Sequence, residues 1–488
     1  MEDAIKHVVV VGGGITGLSA AYYMKKYSED RGIPIKVTVV EKAERMGGKI
    51  RTLRRDGCVI EQGPDSFMAR KAPVLKLTKE LGLMDELTAT NPQAKQHYIL
   101  HKGKLHPMPL GFVLGVPTSL APFLKTGLVS PLGKARAALD LVLPRSKSRE
   151  DESLGGFIER RLGKEVLRQI TEPLLAGIYA GDTSALSLHA TFPQFRQLEQ
   201  KHRSLILGLA AGKKQKSGPA GGSDELPEIA KRSLFLTYKG GLSTLINRLL
   251  ERLDRTHLIT GCGVASLSRE ARGYRVELDN GSVLQADGVI LATPSYAAAS
   301  LLPDIEALDW VKRVPYVSVA NVVLAYRKAD IGKPLQGSGF VVPSREGRTI
   351  TACTWISSKW LHTAPEDIVL LRAYIGRAGA EEWTRMPDEQ LLRRVRQDLH
   401  ETMGLQAEPI FHEVTRLKRS MPQYPVGHVE ALKRVRAQLA EERPGIMLCG
   451  AGYEGVGIPD CIEQGRKAAE QMAEFCSQPI RLPRTGGL

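Results

Sequence analysis

Cysteine is scarce in this sequence, with six in 488 residues: Cys58, Cys262, Cys353, Cys449, Cys461 and Cys476. None forms a CxxC, and none is closely paired with a histidine. Disulfide frameworks are far denser in cysteine, and zinc sites usually keep two ligands within a few residues of each other. These thiols therefore read as reduced and mostly buried, no metal site is expected, and the expected compartment is the cytoplasm. Long apolar runs are missing as well. The longest uncharged stretch, Leu105 to Leu124, contains Pro107, Pro109, Pro117 and Pro122, which a spanning helix does not tolerate. The opening MEDAIKH leaves no room for a signal or transit peptide before the first strand. A soluble or at most peripheral protein is expected, with no repeat of fixed period. Acidic residues are outnumbered 53 to 68 by Lys and Arg, for a net charge of +15. That balance favours anionic partners: nucleic acid, an anionic membrane surface or an acidic small molecule. Basic and aromatic residues do not cluster together, so nucleic acid is not expected. With 42% hydrophobic and 25% charged residues, wholesale disorder is excluded, and the length suggests two or three domains.

The first fifty residues carry the clearest pattern. His7 to Val11 is an unbroken apolar run, as in a strand buried on both faces of a parallel sheet. It enters a GxGxxG made by Gly12, Gly14 and Gly17, followed by a helical stretch in which Ala20 and Ala21 permit close packing. Gly32-Ile33-Pro34 breaks the chain, and a second strand, Ile35 to Val40, ends at Glu41. The glycines allow a tight turn and let backbone amides approach a pyrophosphate at the positive end of a helix. Glu41 stands where a carboxylate accepts hydrogen bonds from ribose hydroxyls and repels a 2′-phosphate. FAD and NAD fit this pattern; NADP does not.

A glycine pair follows in Arg45-Met46-Gly47-Gly48-Lys49, then Glu61-Gln62-Gly63-Pro64-Asp65-Ser66. An NAD domain would continue through plain βα units, whereas this second loop resembles that of the superfamily of flavin-dependent amine oxidases, carotenoid desaturases and porphyrinogen oxidases. Near the other end, Gly445 to Gly450 reads as a short buried strand entering Ala451 to Asp460, with a helix from about Cys461 to Cys476. Pro459 suits a first helical turn. Free amides at Gly457 and Ile458 would suit the negative charge that a reduced flavin carries around N1 and O2.

Between these ends, Ala72 to Leu83 and Leu154 to Ala176 read as helices, and Leu105 to Leu188 as a mainly helical insert. Gly212 to Glu228 is polar and glycine-rich, a flexible linker in character. Tyr274–Leu278 and Val283–Ala286 flank Asp279-Asn280-Gly281, a hairpin turn. Val264 lies in the strand-like edge before it, and Asp287 to Thr293 returns as a core strand. Strand-like runs recur from Val314 to Tyr374, and Asp388 to Met403 places Leu391, Leu392, Val395, Leu399 and Met403 on one helix face before Gly404. The expected fold is α/β (α+β): a Rossmann-type FAD-binding domain (1–90, 231–300 and 416–488), a mixed-sheet substrate domain (91–104 and 301–415), a helical insert (105–210) and a linker (211–230), amine-oxidase-like.

Gly177-Ile178-Tyr179-Ala180-Gly181-Asp182, Thr191-Phe192-Pro193-Gln194-Phe195 and above all Met421-Pro422-Gln423-Tyr424-Pro425-Val426-Gly427-His428 resemble segments of the protoporphyrinogen/coproporphyrinogen oxidase family. The likeness runs over nearly the whole chain and is weakest near 212–228. Lacking a targeting sequence, the chain is similar to the Gram-positive bacterial branch, whose members act on coproporphyrinogen III. The resemblance implies FAD contacts, non-covalent, at Gly12, Gly13, Gly14, Ile15, Thr16, Gly17, Glu41, Lys42, Lys49, Gly63, Pro64, Asp65, Ser66, Val264, Val456, Gly457 and Ile458. Relatives tend to have tryptophan where this chain has Leu417, which puts an aromatic contact to the cofactor there in question. The implied chemistry is three two-electron oxidations of a porphyrinogen, with dioxygen as acceptor and hydrogen peroxide as product, in haem biosynthesis. The flavin does the redox work, so no obligate acid or base is named. Arg70 and Lys71 either pair with substrate propionates or form a solvated helix start, while Tyr424 and His428 read as structural. Protoporphyrinogen IX as substrate, a flavin amine oxidase, a covalent flavin at Cys449 or Cys461 and a flavin-bound module without turnover remain as alternatives. Contact with a membrane surface or another haem-pathway enzyme stays open.

Overall fold

Four consecutive valines have no polar side to turn to water, and a strand built from them has to be covered on both faces. In the computed structural model, which describes residues 5–478 apart from 110, 114, 119, 216–225 and 254–255, Val8 to Val11 lie buried at the centre of a five-stranded parallel sheet. The strand (β1, Lys6–Val11) leads into a helix (α1, Ile15–Arg31) and a second strand (β2, Ile35–Val40). The sheet order is His257–Ile259, β2, β1, Gly288–Leu291, Ile446–Leu448, so its strands come from widely separated stretches of chain. Val8 and Val10 pack under α1 and the helix Ile458–Ser477, while Val9 and Val11 face a core holding Leu432, Val435 and Leu439 of the helix His428–Glu442. The expected hairpin forms, with Val264–Arg269 as the third strand of its small antiparallel sheet.

A seven-stranded mixed sheet forms the second layer, in the order Phe411–Pro422, Tyr316–Arg327, Ile368–Ile375, Ile350–Trp355, Gly339–Val341, His97–His101, Lys104–Pro107. Its pairings are antiparallel except that of Gly339–Val341 with His97–His101. The helix Asp388–Met403 covers one face with Leu391, Val395 and Leu399 buried; Leu392 and Met403, expected on the same side, are only partly buried. The edge strand Phe411–Pro422 stays in this sheet beyond residue 415, past the boundary read from the sequence.

The helical insert differs from expectation in two ways. Its first residues are extended, in Lys104–Pro107 and in a short pair, Phe112–Val113 with Val116–Pro117, where prolines defeat helix formation. The single helix expected over Leu154 to Ala176 breaks at Gly163 (φ +88°) into Leu154–Leu162, Lys164–Val166, a π-helical turn Leu167–Thr171 and Glu172–Tyr179. The apolar spacing still holds, since Leu154, Phe157, Ile158 and Leu162 are all buried. Of the expected linker, residues 216–225 lie outside the described residues; helices Leu205–Gln215 and Glu228–Arg232 occupy its flanks. Among the described residues no helix is long and apolar enough to cross a membrane.

Candidate active site

The glycine turn at the end of β1 is shaped by close approaches. A Cβ on Gly17 would lie 1.8 Å from the Gly12 carbonyl oxygen, and one on Gly13 would strike the Met46 sulfur at 2.2 Å. Gly14 is different, because a Cβ there meets nothing nearer than the Gly48 Cα at 4.0 Å. Its backbone (φ −74°, ψ 179°) is also open to any residue. Glycine at 14 thus leaves room over the turn instead of resolving a clash within the protein. Glu41 ends β2 and receives the amides of Gly13 (2.7 Å) and Ala43 (2.8 Å). The backbone beside it is fixed by the strand His257–Ile259, whose Ile259 carbonyl accepts from the Glu41 amide at 2.8 Å. Lys42 then lies along Gly263, next to Val264, at 3.4 Å from where a Cβ would stand.

The glycine pair brings the second loop onto the first. The Gly47 amide donates to the Gly13 carbonyl (2.7 Å), and a Cβ on Gly48 would stand 3.0 Å from the Gly14 Cα. Lys49 follows, donating from Nζ to the Ser420 carbonyl. Surrounding protein lowers its amine pKa, yet the residue keeps accessible surface, the combination expected of a side chain lining an interior cavity. Gly63 sits where a Cβ would be 1.8 Å from the Lys49 carbonyl oxygen, and Arg372 Nη2 donates to the Gly63 carbonyl. At Asp65 burial alone would raise the carboxyl; Lys359, 3.4 Å away, together with Arg372 and the Ser66 hydroxyl brings it down to about 2.

The helix Ile458–Ser477 points its N-terminus, capped at Gly457 and with Pro459 in the first turn, toward the same region. Gly465, within this helix, has room for no side chain, since a Cβ would lie 2.4 Å from the Thr16 carbonyl of α1. The two glycine-bearing ends of the chain are thereby packed together. The Thr16 hydroxyl bonds the Cys461 thiol, which burial pushes up to about 11; burial raises Cys449 further still. Neither buried thiol has the depressed pKa of a reactive one. Val456 packs against the core of the helical region.

The face of the seven-stranded sheet turned away from the helix Asp388–Met403 supplies the floor. In the register, Asn321 stands opposite Tyr374 on one side and Thr415 on the other, with Arg372 two residues before Tyr374. Asn321 Nδ2 donates to the Gln62 carbonyl at 3.0 Å. Several polar atoms around this volume are buried without a hydrogen-bond partner: Gln62 Oε1, Asn321 Oδ1, Arg372 Nε, Thr415 Oγ1, Ser420 Oγ and, beside Gly12, Thr293 Oγ1. Unpartnered buried polar groups are rare in folded proteins and require an explanation. Together with the open space over Gly14 and the amides at Gly457, they suit a long polar dinucleotide with one end against the sheet.

Most of the expected residues fall into one neighbourhood. Gly12 to Gly17, Glu41, Lys49, Gly63 to Ser66 and Val456 to Ile458 converge; Lys42 lies along Gly263, the residue before Val264, at its margin. Arg70 is simply exposed. Lys71 is held at 2.9 Å by Asp460 in the first turn of the Ile458–Ser477 helix, so it is neither free nor a merely solvated helix start. Leu417 lies opposite Val319 in the sheet. Asn321, Arg372 and Lys359 escaped the sequence reading, although a lone Asn or Arg inside an apolar strand (VSVANVVLAY, IVLLRAYI) was the available signal.

Residues 15–473 match the family model described as flavin containing amine oxidoreductase. Coproporphyrinogen III oxidase of Bacillus subtilis is 47% identical, covering 97% of this chain and 99% of that protein. Protoporphyrinogen oxidase of Bos taurus is 35% identical, covering 95% and 98%. A crystal structure of an Exiguobacterium sp. 255-15 protein has a TM-score of 0.84 at 37% identity, covering 96% of this chain and 99% of that one.

Proposed function

Because the chain belongs to the flavin-containing amine oxidoreductase family, and within it to the porphyrinogen oxidases, we propose that it oxidises coproporphyrinogen III to coproporphyrin III. The cofactor is non-covalent FAD, dioxygen is the acceptor, hydrogen peroxide the product, and haem biosynthesis the setting. The observation that carries the cofactor part is the convergence of the Gly12–Gly17 turn, Lys49 and the Gly457–Ile458 amides with the unpartnered polar atoms of the sheet floor. The substrate part rests on the 47% identity over nearly the full chain.

When bound, the flavin supplies the two-electron acceptor for each oxidation. The protein's own part is to bind, orient and exclude water. Gly14 leaves the pyrophosphate room, Glu41 presents a carboxylate at the ribose position, and the Ile458–Ser477 helix offers free amides. Lys49, Gly63 and Asp65 are fixed to one another and to Lys359 and Arg372, so the loop facing the substrate side is braced by charge and hydrogen bonds. The division into flavin, substrate and helical domains over the residue ranges given above belongs to the same proposal.

A second substrate, the dicarboxylate protoporphyrinogen IX, is favoured by one observation: Lys71 is already neutralised by Asp460 and does not stand ready for a propionate. Porphyrin fluorescence growth in air, with purified flavoprotein and either porphyrinogen, separates the two. Faster turnover of coproporphyrinogen III with stoichiometric hydrogen peroxide is expected. Preference for protoporphyrinogen IX would reverse the substrate, and turnover of neither above the no-enzyme rate would overturn the function.

A further inference from the structure

Arg161 and Arg196 are buried in ion pairs, Arg161 with Asp140 and Arg196 with Glu152 and Glu199. Arg377, half-buried, has a carboxylate within electrostatic reach but forms no such pair. The strand Ile368–Ile375 ends at Gly376, whose φ of +115° swings the chain out of the sheet. The Ala378 amide then donates to the Ala180 carbonyl (2.9 Å), which docks this turn on the end of the helix Glu172–Tyr179. Arg377 therefore stands at the seam between sheet and helical insert. Its Nη2 donates to the Val342 carbonyl at 2.6 Å, and among the described residues Glu172 acts on it only through space. The residue keeps some accessible surface, and Nη2 alone of its side-chain nitrogens has a hydrogen-bond partner among the described residues. Burial lowers its pKa, and Glu172 is within electrostatic reach but not paired with it. A half-buried cation without a counter-ion is costly unless an anion arrives to meet it.

The neighbouring Tyr179 feels the charge of Asp460, whose partner is Lys71. The Tyr179–Ala180 segment thus lies between the turn that carries Arg377 and the first turn of the Ile458–Ser477 helix. We propose that Arg377 is a carboxylate subsite for the porphyrinogen, reading a propionate that the tetracarboxylate has and the dicarboxylate lacks. This rests on the proposed function and adds the residue that selects between its two substrates. Glu172, close by, competes with the incoming carboxylate for the same guanidinium.

Binding of coproporphyrin III and protoporphyrin IX to the flavin-loaded protein, followed by fluorescence, tests this without turnover. For Arg377→Gln the dissociation constant of coproporphyrin III is expected to rise about 10- to 100-fold, as for loss of a charge-assisted hydrogen bond, with protoporphyrin IX changed about 2-fold or less. Arg377→Lys should recover part of the loss, and Glu172→Gln should tighten coproporphyrin III. Equal weakening of both porphyrins in Arg377→Gln, or no change in either, overturns the proposal. So does weakening of coproporphyrin III in Glu172→Gln, which would make the two residues a structural pair. Wild-type flavoprotein that binds neither porphyrin would instead sink the proposed function, before any variant is compared.

Discussion

Alanine at Gly14 and alanine at Gly17 ask different things of the same turn. At Gly17 the new methyl would collide with a backbone oxygen, which cannot yield as a side chain would. Gly17→Ala should cost about 3 kcal/mol or more of stability, measured by chemical denaturation. At Gly14 the backbone is ordinary and the nearest atom 4.0 Å away. Gly14→Ala should therefore melt like wild type when stripped of flavin, yet lose flavin on gel filtration; full flavin retention would remove Gly14 from the cofactor site. The spacing of Gly12, Gly14 and Gly17 was legible because backbone geometry is a local property, written in adjacent residues. What Lys71 does was not legible, since its partner Asp460 lies hundreds of residues away and only the fold brings them together. Arg372 and Lys359 were hidden for the same reason.

Among elements, the hairpin of Thr52–Arg55 and Cys58–Glu61 shows how a buried carboxyl can hold a loop in place. Glu61 receives the Leu242 amide (2.6 Å) and the Thr52 hydroxyl (3.0 Å), while the Thr52 hydroxyl also accepts from the Ser243 amide (3.0 Å). This ties the hairpin to the start of the helix Ser243–Arg252. Burial pushes Glu61 up to about 7, above its ordinary 4.5, so the native state holds this proton more tightly than the unfolded chain does. Its stabilising contribution is complete below about 4.5 and is lost as pH rises through about 7. Asp65, down at about 2 from 3.8, works the opposite way: its contribution is present above 3.8 and is lost as pH falls through about 2. Melting temperature against pH should accordingly slope downward between 4.5 and 8 more steeply in wild type than in Glu61→Gln; identical profiles would contradict the assignment. The strands around the glycine turns and the hairpin at Asp279–Gly281 were readable from apolar runs and turn residues. The helix over Leu154 to Ala176 was readable only as a face, because apolar spacing survives the break at Gly163 that divides it.

For the molecule as a whole, one carboxylate joins regions far apart in sequence. Asp151 accepts from the Ser187 hydroxyl (2.5 Å), the His189 amide (3.1 Å) and the Gly427 amide (2.9 Å), linking the helical insert to the Met421–His428 segment. On its other side that segment is held by Tyr424, which stacks on His428 at 4.6 Å and donates to the Ala451 carbonyl (2.5 Å). His428 in turn has its Nε2 2.9 Å from the Tyr453 carbonyl. Asp151→Ala should cost about 3 kcal/mol through loss of hydrogen bonds to a charged acceptor, with flavin content unchanged. Unaltered urea unfolding would show the link to be idle.

The central sheet has a temporal consequence. Its β1 strand pairs with Gly288–Leu291, which pairs in turn with Ile446–Leu448, and the helix that packs on α1 begins only at Ile458. At a synthesis rate of about 5 to 20 residues per second, a ribosome needs roughly 20 to 90 seconds to travel from the first glycine turn to that helix. Throughout that interval the face of α1 that meets the helix Ile458–Ser477 stays uncovered by it, although α1 already has β1 and β2 to pack on. The helix end at Gly457–Ile458, which belongs to the cofactor site proposed above, is thus among the last parts of the molecule to be made.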